Sequence, residues 1–193
     1  MNLDLEAKTA PITIRNVTEI ELQRLWEISY GPKADLTWKN FDGPYFNDPI
    51  LSWEEYKEGF GCRFLNDTNG GVIFFENEMV GVVTAYFEDG KLKRWLEFGI
   101  AIYHPHNWNK GIGSKAADLW IKHLFQRYPE IERVGYTTWS GNDRMMALGE
   151  KIGMKKEAQI RKVRYWQGQF WDSMKYGILR EEVKFGEKVF SNV

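Results

Sequence analysis

A single α/β (α+β) domain, with about seven strands in a mixed, mostly antiparallel sheet and about four flanking helices, is the fold class this chain predicts. Three observations predict it. The extended and helical runs follow the order β-α-α-β-β-β-α-β-α-β-β, which lets strands adjacent in sequence pair antiparallel. A chain of 193 residues with 43% hydrophobic side chains can bury one full core. No internal repeat, low-complexity tract or interdomain linker divides it, so residues 1–193 are read as one domain.

Each element has a local cause. I-T-I-R-N-V at 12 to 17 alternates with the period of a strand, and Thr18, with Glu21 three residues on, is the capping signal for a helix from about Glu19 to Tyr30. Residues 31–50 carry three prolines and two glycines without periodicity; they read as a loop or broken helix, closed by a short helix from Ser52. Strands are expected over 72–76 and 79–88 around a tight turn at Asn77 and Glu78, and a third ends near Tyr103. From about Ile112 to Tyr128 a helix places Ile112, Ala116, Leu119, Trp120 and Leu124 on one face, with Lys115, Lys122 and Gln126 toward water. A strand over 132–139, a helix over 142–152, and strands over 155–166 and 169–180 joined at Gln167 and Gly168 complete the order.

Lys plus Arg number 26 against 27 Asp plus Glu, and this near balance gives no electrostatic case for direct nucleic-acid binding. Cys62, the one cysteine, excludes an internal disulfide and fits a reducing, cytoplasmic setting. The first ten residues carry acids and no long apolar run, so they do not read as a secretory signal and are expected to be flexible or loosely attached. No stretch reaches the roughly 18 apolar residues of a membrane helix, and no membrane partner is expected. With 9 Trp, 9 Tyr and 12 Phe, the aromatic surface is more than one core needs, which leaves room for a homodimer.

The most informative run is W-N-K-G-I-G-S at 108 to 114. It follows an extended run, L-E-F-G-I-A-I-Y at 96 to 103, and opens a helix, the order in which bare backbone N–H groups and a helix dipole meet an anion. Gly111 and Gly113 have no Cβ, so the main chain can approach a ligand and take positive φ. A diphosphate cradled by Trp108, Asn109, Lys110, Gly111, Ile112, Gly113 and Ser114 is expected; an ordinary tight turn from strand to helix is the alternative.

Three further runs give the loop its context: V-G-Y-T-T-W at 134 to 139, N-D-R-M-M-A-L-G-E-K-I-G-M at 142 to 154, and Q-G-Q-F-W-D-S-M-K-Y-G-I-L-R-E-E at 167 to 182. Together with the loop they resemble the GNAT superfamily of N-acetyltransferases, whose phosphate loop reads Gln/Arg-x-x-Gly-x-Gly/Ala. Trp108 at the first position departs from that pattern and is similar to the W-G-K-G form of the Rim-type ribosomal-protein N-acetyltransferases. The resemblance covers nearly the whole chain. It implies acetyl-CoA as co-substrate, no metal, and a primary amine as acceptor: a protein N-terminus, or a small molecule such as a polyamine, amino acid or amino-sugar antibiotic. It further implies that Ala101, Ile102 and Tyr103 pair with the pantetheine arm, with the Ala101 or Ile102 amide as donor to the thioester carbonyl, and that Asn142 bonds the cofactor arm; as one of the best N-cap residues, Asn142 reads equally as the cap of the helix that starts beside it.

An acceptor amine arrives as ammonium and needs a base. Glu97, flanked by Trp95, Leu96 and Phe98, stands where some GNAT enzymes place theirs, and an inward carboxylate would lose hydration; a surface glutamate is the plainer reading. No general acid carries over, because Gly149 and Met145 occupy the positions where relatives carry tyrosine or serine. Those departures leave a non-catalytic acyl-CoA-binding or sensory module as the alternative function. His104 and His106 lack further metal-ligating partners at suitable spacing and read as loop residues. Between Gly31 and Phe60, Trp38, Phe41, Tyr45, Phe46, Trp53 and Tyr56 alternate with Asp35, Asp42, Asp48, Glu54 and Glu55, a composition that suits either a cationic acceptor or a flap with solvated acids.

Overall fold

The structure is a computed structural model that describes residues 3–8 and 10–185. Its strands are β1 (Asp4–Glu6), β2 (Ile12–Arg15), β3 (Gly70–Phe75), β4 (Glu78–Phe87), β5 (Leu96–Ile102), β6 (Arg133–Trp139), β7 (Lys155–Trp166) and β8 (Gln169–Leu179). Its helices are α1 (Glu19–Ser29), α2 (Trp53–Glu58), α3 (Arg63–Asn66), α4 (Ile112–Arg127) and α5 (Asp143–Lys151). The strands form one sheet in the order β1-β2-β3-β4-β5-β6-β8-β7, and every pairing is antiparallel except β5 with β6. The mixed, mostly antiparallel α/β architecture is therefore as expected, with one more strand and one more helix than the sequence suggested.

The local signals account for the elements. Thr18 and Glu21 form a capping box at the start of α1, and Ser52 and Glu55 form another at α2. Glu76 and Asn77, both at positive φ, make the tight turn between β3 and β4, one residue earlier than expected; Gln167 and Gly168 do the same between β7 and β8.

Two layers pack on the sheet. On one face α4 buries Ile112, Ala116, Ala117, Trp120, Ile121, Leu124 and Phe125 against Ile73, Val83 and Val134. On the other, Leu22 and Leu25 of α1, Tyr56 of α2 and Phe64 of α3 pack on Val72, Phe74 and Val82, so neighbouring residues of β3 and β4 serve opposite cores. Arg180, just after β8, donates to the carbonyls of Phe125, Tyr128 and Ile131 and closes the C-terminal end of α4.

One expectation is corrected at the N-terminus. Of residues 1–10, 1, 2 and 9 lie outside the described residues, but Asp4 to Glu6 pair with Thr13 to Arg15, and Leu3 is buried with its amide donating to Asn16 Oδ1 at 2.8 Å. The segment is an integral edge strand. Its three residues are too few for periodicity to reveal.

The feature that positions the site is the parallel pair. β5 and β6 are in register only at Leu96 with Val134 and Glu97 with Gly135. Beyond those pairs they separate, and the backbone groups of β5 that face β6 are left without a ladder partner.

Candidate functional site

A cavity of about 990 Å³ fills the gap. Its walls are β5 from Phe98 to Ile102, β6 from Tyr136 to Trp139, the segment leading into α4, the cavity-facing side of α5, and the 41–48 loop.

The loop before α4 has the expected character. Trp108, Asn109, Gly111, Ile112, Gly113 and Ser114 line the cavity; Lys110 is not part of the lining, so what it retains of its expected role is its backbone amide. Asn109 and Gly111 adopt φ of 61° and 77°, so the chain turns left-handed twice before α4 begins. Gly111 is the N-cap and has no side chain to offer the helix. As a result, among the described residues no acceptor takes the amide hydrogens of residues 109 to 114. A Cβ on Gly111 would approach nothing closer than Ser114 Oγ at 4.0 Å, whereas one on Gly113 would sit 3.2 Å from Leu148 Cδ1. Gly111 therefore keeps the cavity open, and Gly113 lets α5 pack close to α4.

On β5, strand parity decides which backbone groups face the cavity. The amide of Tyr103 donates to Val80 at 3.0 Å and that of Glu88 to Trp95 at 2.9 Å, which fixes the 82–101 pair as mutually bonded. The expected backbone contacts are thus corrected for Tyr103 and for the amide of Ala101, which still lines the cavity. The Ala101 amide belongs to the ladder with β4, and Tyr103 is in the core against Trp38, outside the cavity. Ile102 remains, and Ile100, which sequence spacing missed, joins it: their amides face the gap. The Ile102 carbonyl is used by Trp108 Nε1 at 2.8 Å.

Asn142 lines the cavity, yet both ends of its side chain are engaged. Oδ1 caps α5 through the Met145 amide, and Nδ2 donates to the Phe41 carbonyl at 3.0 Å. The Phe41 carbonyl also accepts from Trp139 Nε1, so the loop that carries Asp42 is tied to both β6 and α5. Cap and tether are the roles that the geometry gives Asn142.

Glu97 is the largest correction. Its carboxylate is fully buried and outside the cavity lining; Oε1 accepts from Arg133 Nη1 at 3.1 Å and Trp95 Nε1 at 2.9 Å, and Oε2 from Thr137 Oγ1 at 2.8 Å. A base facing the acceptor needs an accessible lone pair, and this carboxylate is buried away from the cavity with three donors already on it.

Gly149, where relatives place a tyrosine, is explained by Tyr136. A Cβ there would lie 2.2 Å from Tyr136 Oη, because that ring crosses from β6 and donates to the Met145 carbonyl at 2.7 Å. Burial raises the Tyr136 phenol far above its usual range, which suits packing rather than proton donation.

The segment between Gly31 and Phe60 divides in two. Trp38, Phe41, Asp42, Tyr45, Phe46 and Asp48 reach the cavity. Asp35 caps a 3₁₀ turn, Glu55 closes a capping box, Trp53 packs on Trp26, and Tyr56 is in the core. Asp42 lines the cavity and its side chain is accessible, and desolvation by the surrounding protein raises its carboxyl above the ordinary range, against Lys39 and with Asp48. Cavity residues absent from the sequence reading include Tyr86 and Glu88 at the end of β4 and Arg144 and Lys151 on α5. The last two are seven apart and share a helix face, a signal the sequence did contain. His104 and His106 stand with their Nδ1 atoms 2.6 Å apart, and Cys62 is exposed and bonds the Gly59 carbonyl. Among the described residues no group of three metal-ligating side chains gathers, and no helix is long and apolar enough to cross a membrane.

Comparison with known proteins gives three likenesses beyond a family match. Residues 12–155 match the acetyltransferase (GNAT) domain family. The SPbeta prophage-derived uncharacterized N-acetyltransferase YokL of Bacillus subtilis is 29% identical over 148 residues, 75% of this chain and 78% of that protein. The crystal structure of spermidine N-acetyltransferase from Vibrio cholerae, in complex with CoA and spermine, superposes with a TM-score of 0.70 at 18% identity, covering 90% of this chain and 98% of that one. The ribosomal L7/L12 α-N-protein acetyltransferase RimL superposes with a TM-score of 0.65 at 17% identity, covering 93% of this chain and 95% of that one.

Proposed function

The chain belongs to the GNAT family of acetyltransferases and is an acetyl-CoA-dependent enzyme, and on that premise we propose that it acetylates a primary amine by direct attack within a ternary complex. The observation that carries the proposal is the run of amides from 109 to 114 without protein acceptors, at the mouth of a cavity that also receives the acidic 41–48 loop. Donor and acceptor sides open into one space. Cys62 lies outside it, so no covalent acyl-enzyme is invoked.

The residues fit the co-substrate. Acetyl-CoA supplies the acetyl group as a thioester. The 109–114 amides and the α4 dipole receive a diphosphate, and the unpaired amides of Ile100 and Ile102 orient the thioester carbonyl and stabilise the negative charge that develops there. Asp42 is the cavity carboxylate whose affinity for a proton is raised by desolvation, and it takes the proton of the arriving ammonium. No phenol on α5 protonates the departing thiolate, whose pKa of about 8.5 lets it leave as the anion, and the second proton, released from the adduct's nitrogen as the C–S bond breaks, passes to that thiolate or to water.

Asp42, Asp48 and Glu88, with the ring of Tyr86, favour a cationic amine, while Arg164 lies over the rings of Tyr45 and Phe46. Polyamines and positively charged protein N-termini both satisfy that chemistry, and proteins of similar fold are named for each type, the Vibrio cholerae spermidine enzyme and RimL.

Calorimetry with acetyl-CoA tests the donor side. Gly111→Trp fills the space the missing side chain leaves, and a loss of binding of about 100-fold or more is expected, with roughly 1–2 kcal/mol of strain from the left-handed φ. Unchanged affinity would remove the loop assignment. Turnover against a panel of spermidine, free amino acids, aminoglycosides and N-terminal peptides then identifies the acceptor, and no transfer to any amine by a protein that binds acetyl-CoA would sink the catalytic reading.

A further inference from the structure

We infer that Arg144, whose guanidinium lies over the Trp108 ring, is a second diphosphate-binding group that works alongside the loop amides. This deepens the acyl-CoA reading above and rests on it. Arg144 is the second residue of α5, and its guanidinium lies 4.2 Å from the centroid of the Trp108 ring and 5.3 Å from that of Phe41. Trp108 is in turn immobilised: its Nε1 donates to the Ile102 carbonyl, and Phe41 meets its ring edge-on at 5.5 Å and 90°. Both Arg144 and Trp108 line the cavity.

Among the described residues no carboxylate lies within ion-pair distance of Arg144, although Asp143 precedes it on the same helix. An exposed arginine without a carboxylate is common. One laid against two fixed rings at the edge of six unbonded amides is not. The contact with the indole engages the cation without using its N–H donors, none of which has a protein acceptor among the described residues, so they stay available to phosphate oxygens. It also removes part of the side-chain entropy cost before the ligand arrives. The first residue of the loop is thus a platform, and the cation it carries comes from a helix thirty-odd residues downstream in the chain.

Titration calorimetry with three ligands tests the inference: CoA, dephospho-CoA, which keeps the diphosphate and lacks the 3′-phosphate, and pantetheine, which lacks both. Arg144→Ala is expected to weaken CoA and dephospho-CoA alike by about tenfold and to leave pantetheine unchanged. Arg144→Lys keeps the charge but not the planar fork, so it should recover only part of that loss. Trp108→Leu should weaken both nucleotides in the wild-type background and add little once Arg144 is alanine, because the two act as one unit. Equal binding of CoA by wild type and Arg144→Ala overturns the inference, and so does a loss seen for CoA but not for dephospho-CoA, which would move Arg144 to the 3′-phosphate. Failure of the wild-type protein to bind CoA at all would instead overturn the acyl-CoA reading. Arg144 is exposed, and an unchanged melting temperature in each variant confirms that affinity rather than folding is being read.

Discussion

Glu97 of β5 and Arg133 of β6 meet at 3.1 Å beside the last point at which their two strands are still paired. Arg133 continues across to Glu157 at 2.6 Å and to the Tyr176 carbonyl at 3.2 Å, while Thr137 ties the other oxygen of Glu97 to β6 and receives Lys175 Nζ at 2.8 Å. The buried carboxylate therefore clamps the apex of the gap that receives the donor. Removing one partner of a buried pair leaves an uncompensated charge, so Arg133→Met should destabilise the fold by about 3–5 kcal/mol in denaturant titrations. Glu97→Gln keeps the shape and one acceptor oxygen and should cost less.

The same pair separates two readings of the pH–rate profile. With Glu97 clamped and Asp42 in the cavity, Glu97→Gln should keep the acidic limb of kcat/KM, and Asp42→Asn should abolish or displace it. Loss of that limb in Glu97→Gln would return Glu97 to the role of base.

Gly149 is set by Tyr136. Alanine is the better helix former by about 1 kcal/mol, yet a Cβ on Gly149 would press on the Tyr136 hydroxyl. Gly149→Ala should therefore lower stability by about 1–3 kcal/mol through overpacking. The loss should shrink in a Tyr136→Leu background, measured as a double-mutant cycle. An independent, additive effect would mean that the ring does not define this glycine. For the same reason Gly149→Tyr should not improve turnover, since the ring from β6 already holds the space in which relatives present their phenol.

What sequence made legible, and what it hid, follows the range of the interactions. Capping boxes at Thr18 and Ser52, the Gln167–Gly168 turn and the glycine loop are decided within a few residues, so they could be read directly. Strand parity is not. The amide of Ala101 faces away from the cavity only because β4 lies where it does, and an offset of one residue exchanges Ala101 for Ile100. Glu97 reads as a lone desolvated carboxylate until Arg133, 36 residues on, is brought beside it. Tyr136 and Gly149 read as unrelated until the ring crosses from sheet to helix. Arg144 carried a usable signal, a helical stripe shared with Lys151, but its meaning depends on Trp108 lying beneath it.

Glu21 supplies a prediction about stability and acid. Arg15 Nη2 bonds its carboxylate at 2.7 Å and the Thr18 amide donates at 2.9 Å, and the hydrogen bond with Arg15, opposed by partial burial, is the main reason its pKa falls from 4.5 to about 2. A lowered folded-state pKa means that the unfolded chain binds more protons in the interval between the two values. The stabilisation is thus complete above about pH 4.5 and disappears as the pH falls toward about 2. Because the pair is partly solvent-exposed, screening keeps its contribution modest, on the order of 1 kcal/mol or less. Glu21→Gln should therefore melt below the wild type at pH 7, and the difference should narrow steadily between pH 4.5 and 2.5 as the wild-type carboxylate is protonated. High salt should narrow it as well, since the ion pair is accessible to counterions. A gap that stays constant across that interval would show that capping by the neutral side chain, rather than the charge on Glu21, is what secures the start of α1.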